Sequence, residues 1–177
     1  MRKIKLYIAQ SMDGYIAEMD GGLDWLMNHP NPEQTDYGYA DFYKTVDTLL
    51  MGARTYESIV AMDLSWPYED SQTYVVTHNP IPTQENRSSI SSNVIERIKQ
   101  LKSYPGKDIW IVGGGELIST LLSHQLIDSM IITTMPILLG GGIPLFRADS
   151  GSSNWETVGV STFQSGVTVA EYKRINE

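Results

Sequence analysis

Ile4, Leu6 and Ile8 alternate with Lys3, Lys5 and Tyr7 at the start of the chain, the period-two pattern of a strand with one buried face. The Asp-Gly pair in SMDG, 11–14, then interrupts that pattern with a turn. GYIAEMDGGLDWLMNHPNPEQ, 14–34, holds no sustained period; its glycines, two prolines and Trp25 read as a long structured loop. Tyr39, Phe42, Tyr43 and Val46 recur at helical spacing and predict a short amphipathic helix between Glu33 and Val46. VDTLLMG is a buried strand stopped at Gly52, and Tyr56, Ile59 and Val60 in ARTYESIVAM predict a helix entered directly through that glycine. QTYVVT is a further strand, which HNPIPT ends because proline cannot continue a ladder.

Val94, Ile95, Ile98 and Leu101 line one face of a helix in SSNVIERIKQLK, with Asn93 and Glu96 spaced as a capping box. DIWIVGG reads as a strand apolar on both faces, ELISTLLSHQL as a helix with Leu117, Leu121 and Leu122 as its stripe. DSMIITTMPILLGGGIPLF gives a strand and a second glycine run, and WETVGVSTF with GVTVAEYKRI forms a hairpin about QSG. Strands alternating with helices over the first two-thirds imply right-handed crossovers and a mostly parallel sheet covered on both faces, with antiparallel strands added by the hairpin. No repeat or linker divides the chain, and 177 residues suit a single domain, 1–177.

A composition 41% hydrophobic and 19% charged, with four Trp and ten Tyr, is that of an ordinary globular protein. The net charge of −8 opposes a nucleic-acid backbone, so any anionic ligand must be held locally. The absence of cysteine excludes disulfides, thiolate metal sites and a cysteine nucleophile, and His29, His78 and His124 are too dispersed to suggest zinc. The basic, then apolar, amino terminus lacks an uninterrupted signal core, and no window supplies the roughly 18 apolar residues of a membrane span. The expectation is a cytoplasmic protein, in which the glycosylation pattern at Asn86 goes unused.

IWIVGGGELIST, 109–120, sets a strand against three glycines and then helix formers. A strand opening through glycines into a helix presents unpaired amides and about half a positive charge, a cradle for phosphate or diphosphate. The competing reading is a tight turn, for which one or two glycines of positive φ suffice. No P-loop motif is present. The dinucleotide pattern G-x-G-x-x-G fails at Ile118, and the run follows the fourth or fifth strand rather than the first.

SMDGYIA (11–17), LLMGARTYESI (49–59), IWIVGGGELI (109–118) and ITTMPILLGGGIPLF (132–146) together resemble, in order and spacing, the dihydrofolate-reductase-like superfamily. S-x-D-G, G-A-R-T and P-x-L-L-G-G-G-x-P-L-F are most similar to the C-terminal reductase domain of bifunctional riboflavin-biosynthesis proteins, the RibD C-terminal domain family. MGARTYESI and VGGGELI are equally similar to folate reductase itself. The resemblance implies a three-layer α/β/α fold about a mixed, mainly parallel sheet, with NADPH across the carboxyl ends of the strands. It implies cofactor contacts at Gly52, Ala53, Arg54 and Thr55, at Thr77 and His78, and at Gly113, Gly114, Gly115 and Glu116. A 2′-phosphate needs a cation, for which Arg54, His78 and Arg87 are the candidates; Ala53 stands where folate reductases usually carry a basic residue.

Hydride transfer to a ring needs a nearby proton source. In folate reductases that source is a carboxylate four residues before a phenylalanine resembling Phe42, but Gly38 holds the place here. Asp36 and Asp41 lie nearby, and Asp13 matches the S-x-D-G aspartate; each has a plain alternative as a solvated or turn acid. Trp25 resembles the tryptophan of the active-site loop and, with Phe42, is a candidate substrate contact, against a packing role. Basic residues for a ribose phosphate are few outside the amino terminus and 97–107, and these 177 residues hold no counterpart of the zinc deaminase domain. The expected activity is NADPH-dependent reduction of a pyrimidine- or pteridine-like heterocycle, resembling 5-amino-6-(5-phosphoribosylamino)uracil reductase. The alternatives are a folate reductase with a displaced acid and a non-catalytic NADPH-binding sensor. The resemblance further implies a homodimer formed through late strands, with no nucleic-acid or membrane partner.

Overall fold

Alternation of Ile4, Leu6 and Ile8 with Tyr7 places β1 (Ile4–Ser11) at the centre of the protein, one phase of side chains on each face of a sheet. The computed structural model describes residues 1–62 and 65–175. Along the chain follow β2 (Tyr15–Ala17), α1 (Asp24–Met27), α2 (Tyr39–Tyr43), β3 (Val46–Gly52), α3 (Ala53–Val60), β4 (Gln72–Val76) and β5 (Arg87–Ile90). Then come α4 (Val94–Ser103), β6 (Asp108–Gly113), α5 (Gly115–Ser123), β7 (Ser129–Met135), β8 (Ile143–Pro144), β9 (Trp155–Thr162) and β10 (Thr168–Arg174).

Eight strands form one sheet in the order β5-β4-β3-β6-β1-β7-β10-β9, while β2 and β8 pair separately. β10 runs antiparallel to β7 and β9; the other neighbours are parallel. The crossovers that carry α2, α3, α4 and α5 return helices to the faces of the sheet, as the alternating pattern requires, while β4 and β5 are joined by residues 77–86 without one. α4 and α5 contribute Ile98, Leu101, Ile118 and Leu121 to a core with Ile4, Leu6, Leu50, Ile109 and Ile111. On the opposite face α2 and α3 pack with Leu49, Met51 and Trp110 in a layer rich in aromatic rings. β3 and β6 thus send alternate residues into two cores, which explains a strand apolar on both faces.

The architecture is the three-layer, mainly parallel arrangement with a closing antiparallel hairpin that the sequence predicts. Local differences have identifiable causes. The expected loop over 14–34 contains the short β2 and α1, and the helix expected between Glu33 and Val46 is confined to Tyr39–Tyr43. β5, RSSI, escapes the apolar pattern because it is a short polar edge strand. The Asn93–Glu96 box does not form: Asn93 is left-handed at φ 48 and its side chain caps nothing, while burial of Ile98 and Leu101 holds α4 in place. At the amino ends of the strands, buried Arg2 donates to Asp47, to Thr48 Oγ1 at 2.6 Å and to the Lys107 carbonyl. Among the described residues no helix is long and apolar enough to cross a membrane.

Candidate functional site

The parallel strands end together at one edge, and β3 and β6, neighbours in the sheet, both turn there into helices. A Cβ on Gly52 would stand 3.9 Å from the Gly113 carbonyl, and one on Gly114 would stand 3.7 Å from both Gly52 Cα and Thr55 Oγ1. Gly52, Gly113, Gly114 and Thr55 are thus brought into one place. Among the described residues no side chain caps α3 or α5, so first-turn amides of two helices converge at this edge with their positive partial charge. Exposed Arg54 and half-buried Ala53 begin α3; exposed Glu116 lies in the first turn of α5. On the neighbouring β4, the Thr77 amide donates to the Ile90 carbonyl at 3.1 Å, its hydroxyl closes a turn at Asn79, and His78 is exposed.

The three glycines prove to have different tasks. Gly114 sits at φ +96, and a Cβ on Gly115 would meet the Pro144 carbonyl at 2.8 Å, so the first makes the turn and the second admits β8. A Cβ on Gly113 would only touch Thr55 Oγ1 at 3.5 Å, an ordinary contact. Local geometry accounts for two of the three, and the capacity for an anion rests on the uncapped amides.

The β1 and β7 ends are organised differently. The Asp13 carboxylate accepts from Ser11 Oγ at 2.5 Å, from the Leu139 amide at 3.1 Å and from the Gly140 amide at 2.8 Å. The Ser11 hydroxyl above all, and then those amides, hold its carboxyl below the usual range. Asp36 accepts from the amides of Ala40 at 2.8 Å and Gly38 at 2.9 Å, which likewise hold it low. Gly38, at φ 88, is the residue before α2, and Asp36 satisfies that helix start from two positions upstream. Both carboxylates are therefore ionised acceptors at neutral pH. Asp41 lies on the outer side of α2, its side chain 88% exposed and paired with Lys44 at 2.8 Å.

Phe42 is buried, stacked on Tyr7 at 4.6 Å and edge-on to Trp110 at 5.5 Å. Trp25 is buried with Met135 and Val167, its indole N–H without a partner among the described residues. The Arg87 guanidinium lies over Trp66 at 4.7 Å, at the amino end of β5 and away from the edge where Thr77 meets Ile90. Sequence reasoning missed Tyr7, which the alternation of β1 assigned to the polar phase. Its phenol donates to the Tyr37 carbonyl at 3.2 Å, and burial, reinforced by Asp36, pushes it up to about 12. Two residues further on, Ala9 is only half-buried, as is Val112 of the neighbouring β6, although both lie in central strands. Val112 immediately precedes Gly113, the first residue of the glycine turn.

The loop before α2 is fastened to the β9–β10 turn: His29 Nε2 lies 3.1 Å from the Ser165 carbonyl, and the Gln164 amide donates to Glu33 at 2.8 Å. Among the described residues no group of three or more His, Asp or Glu could hold a metal ion.

The RibD C-terminal domain family matches residues 2–169. The uncharacterized protein YwjB of Bacillus subtilis (strain 168) is 40% identical over 167 residues, 94% of this chain and 95% of that protein. A second uncharacterized protein of that organism, YyaP, is 32% identical over 97% of this chain and 94% of its own length. A solved structure from Shewanella sp. PV-4, named provisionally as a riboflavin biosynthesis protein, is similar at TM-score 0.87 and 31% identity, covering 98% and 99% of the two chains. Dihydrofolate reductase from Enterococcus faecalis, complexed with NADP(H), is similar in fold at TM-score 0.71 and 23% identity, with 98% and 97% coverage. The Thermotoga maritima diaminohydroxyphosphoribosylaminopyrimidine deaminase/5-amino-6-(5-phosphoribosylamino)uracil reductase shares the fold at TM-score 0.72 and 16% identity, over 98% of this chain and 57% of that one. With its paired glycine turns and its match across nearly the whole length, the chain belongs to the RibD C-terminal domain family.

Proposed function

We propose that the protein is an NADPH-dependent reductase of a pyrimidine- or pteridine-like heterocycle. The observation that carries this reading is the meeting of two uncapped helix starts at adjacent strand ends, Gly52–Thr55 and Gly113–Glu116. These residues fit a dinucleotide: amides for its diphosphate, and exposed Arg54 for a 2′-phosphate, with His78 nearby in the sheet order. Bound there, NADPH supplies the hydride. The chain's share is to orient the ring over Ala9 and Val112, between α2 and α3, and to exclude water from it. Asp13 and Asp36 act as positioning residues that hold loops at the rim, and the Tyr7 phenol keeps its proton throughout the working pH range.

Titration of nicotinamide fluorescence tests the reading directly. Saturable NADPH binding at sub-millimolar concentration is expected, and none at all would overturn it. Engagement of both rim acids as acceptors also favours a second reading, a sensor that binds NADPH without turnover. Tight binding without NADPH oxidation across pteridines, pyrimidines and flavins would select it.

We further propose a homodimer in the cytoplasm, joined along β9, an eight-residue edge strand on which Val158 and Val160 are 54% and 65% exposed. Such an edge is a template for pairing with a second copy. Light scattering would report a dimer that Val160→Lys weakens.

A further inference from the structure

We infer that the ring reduced at this site carries no anionic tail, neither the phosphate of a phosphoribosyl group nor a glutamate-like carboxylate. The substrate is a neutral or protonated amino-heterocycle, and the inference rests on the reductase reading above.

The first support is where the cations lie. The chain has 13 Lys and Arg, and all of them fall within the described residues. Lys3, Lys5, Lys173 and Arg174 line one cavity at the amino end of β1 and β7, and Arg2 and Lys107 lie at the same end of β3 and β6. The Lys44 carbonyl accepts from Lys107 Nζ at that end at 3.0 Å, while the Lys44 ammonium reaches along α2 to pair with Asp41 at 2.8 Å and helps to hold Asp36 low, so that this charge is already matched by two of the chain's own acids. α4 carries Arg97, Lys99 and Lys102, and Arg87 is stacked on Trp66. Only two remain for the carboxyl edge. Arg147 Nε pairs with Asp149 at 3.3 Å, and that aspartate is bound at 2.6 Å by Ser119 of α5, so this arginine is spent on the other face. Arg54 stands in the first turn of α3, on the cofactor half.

The second support is independent of the first. Backbone amides in turns are the other natural receptors for phosphate or carboxylate. On the substrate half five such amides are already filled by the protein's own acids. Asp13 occupies Leu139 and Gly140 of the second glycine run, Asp36 occupies Gly38 and Ala40 at the start of α2, and Glu33 occupies Gln164. An anionic tail would find these five amides taken, and would face a carboxylate at each. His29 also lies on this rim, and its Nε2 is already engaged with the Ser165 carbonyl.

The test uses the NADPH-loaded protein at about pH 8, above the usual histidine range. Calorimetry would compare two matched pairs: a dihydropterin with and without a carboxylate-bearing tail, and an aminouracil riboside with and without a 5′-phosphate. Titrations would run at about 25 and 250 mM salt, across which screening of rim charges changes several-fold. We expect the tail-free member of each pair to bind about tenfold tighter or better, and the tailed member to gain affinity as salt rises. Equal or tighter binding of the tailed member, weakening with salt, would overturn the inference and leave the reductase reading intact. Failure of NADPH to saturate the same samples would instead remove the reductase reading, and this inference with it. Binding of none of the four compounds to NADPH-loaded protein would also remove it. Asp36→Asn adds a check: freeing the tailed ligand from one opposing charge should narrow the preference several-fold, and an unchanged ratio with the wild-type salt response absent would count against the electrostatic cause.

Discussion

The two halves of the carboxyl edge are built from the same materials, strand ends, glycines and turn amides, yet they treat charge in opposite ways. At β3 and β6 the helix starts carry no side-chain cap and Arg54 stands beside them. At β1 and β7 the amides are capped from within, by Asp13 and Asp36 across turns that would otherwise accept a ligand. A glycine-rich turn is therefore not a binding site by composition alone; what matters is whether the chain has already supplied the anion. ILLGGGI and IVGGGEL look alike in sequence and differ on this one point.

Removing the cation from the open half should have the largest effect. Arg54→Ala is expected to raise the Kd for NADPH about 10- to 100-fold while leaving NADH unchanged, consistent with about 1.5–3 kcal/mol for a charged hydrogen bond. Fluorescence titration of the two cofactors would read it, and an equal loss for both would break the contrast. Next comes the seam between the halves, where α5 meets β8. Gly115→Ala places a Cβ 2.8 Å from the Pro144 carbonyl and should cost about 1–3 kcal/mol in denaturant unfolding. Gly113→Ala, with its nearest atom at 3.5 Å, should stay within about 0.5 kcal/mol.

Tyr7→Phe removes the 3.2 Å bond to the Tyr37 carbonyl and should cost about 0.5–1.5 kcal/mol at neutral pH. The wild type should carry an alkaline signature as well. A phenol raised from 10.0 to about 12 gives stability that is complete below 10 and lost as pH rises through 12, and Tyr7→Phe should flatten that limb. In the closed half, the lowered carboxyl of Asp13 has the opposite sign. Its contribution is present above the ordinary value of 3.8 and disappears as pH falls through the depressed one. Asp13→Asn should therefore lower the urea midpoint at pH 7 and converge with wild type in acid; parallel curves would show that the clamp contributes nothing. Small too is the effect expected of Trp25→Phe, which gives up an indole whose buried N–H has no partner among the described residues, so it should be neutral to within about 1 kcal/mol.

Much of the fold was legible because central strands bury both phases and helices bury a stripe: VDTLLMG, DIWIVGG and ELISTLLSHQL appear as elements close to where periodicity puts them. β5 was not, since an edge strand of Arg-Ser-Ser-Ile shows no apolar phase. Of the site, the two glycine turns were legible as strand-to-helix junctions. The role of Asp13 was not, because its amide partners lie 126 and 127 residues away. Tyr7 was hidden by its place in the polar phase of β1, where only the packing of Phe42 against it reveals a buried ring. Asp36 could be suspected from proximity to α2, but its function as an outlying cap depends on the left-handed turn at Gly38.

The position of β1 also has a consequence for biosynthesis. This strand is made first, yet both of its neighbours, β6 and β7, emerge only after residues 108 and 129. At translation speeds of about 5–20 residues per second, the strand waits roughly 5–25 s with its edges unpaired. Lys3 and Lys5, interleaved with its apolar residues, supply charge to a nascent segment that would otherwise be prone to aggregate. Once the sheet closes, Lys5 turns to pair with Asp108 at the start of β6, so the residue that guards the waiting strand becomes one of the contacts that end the wait.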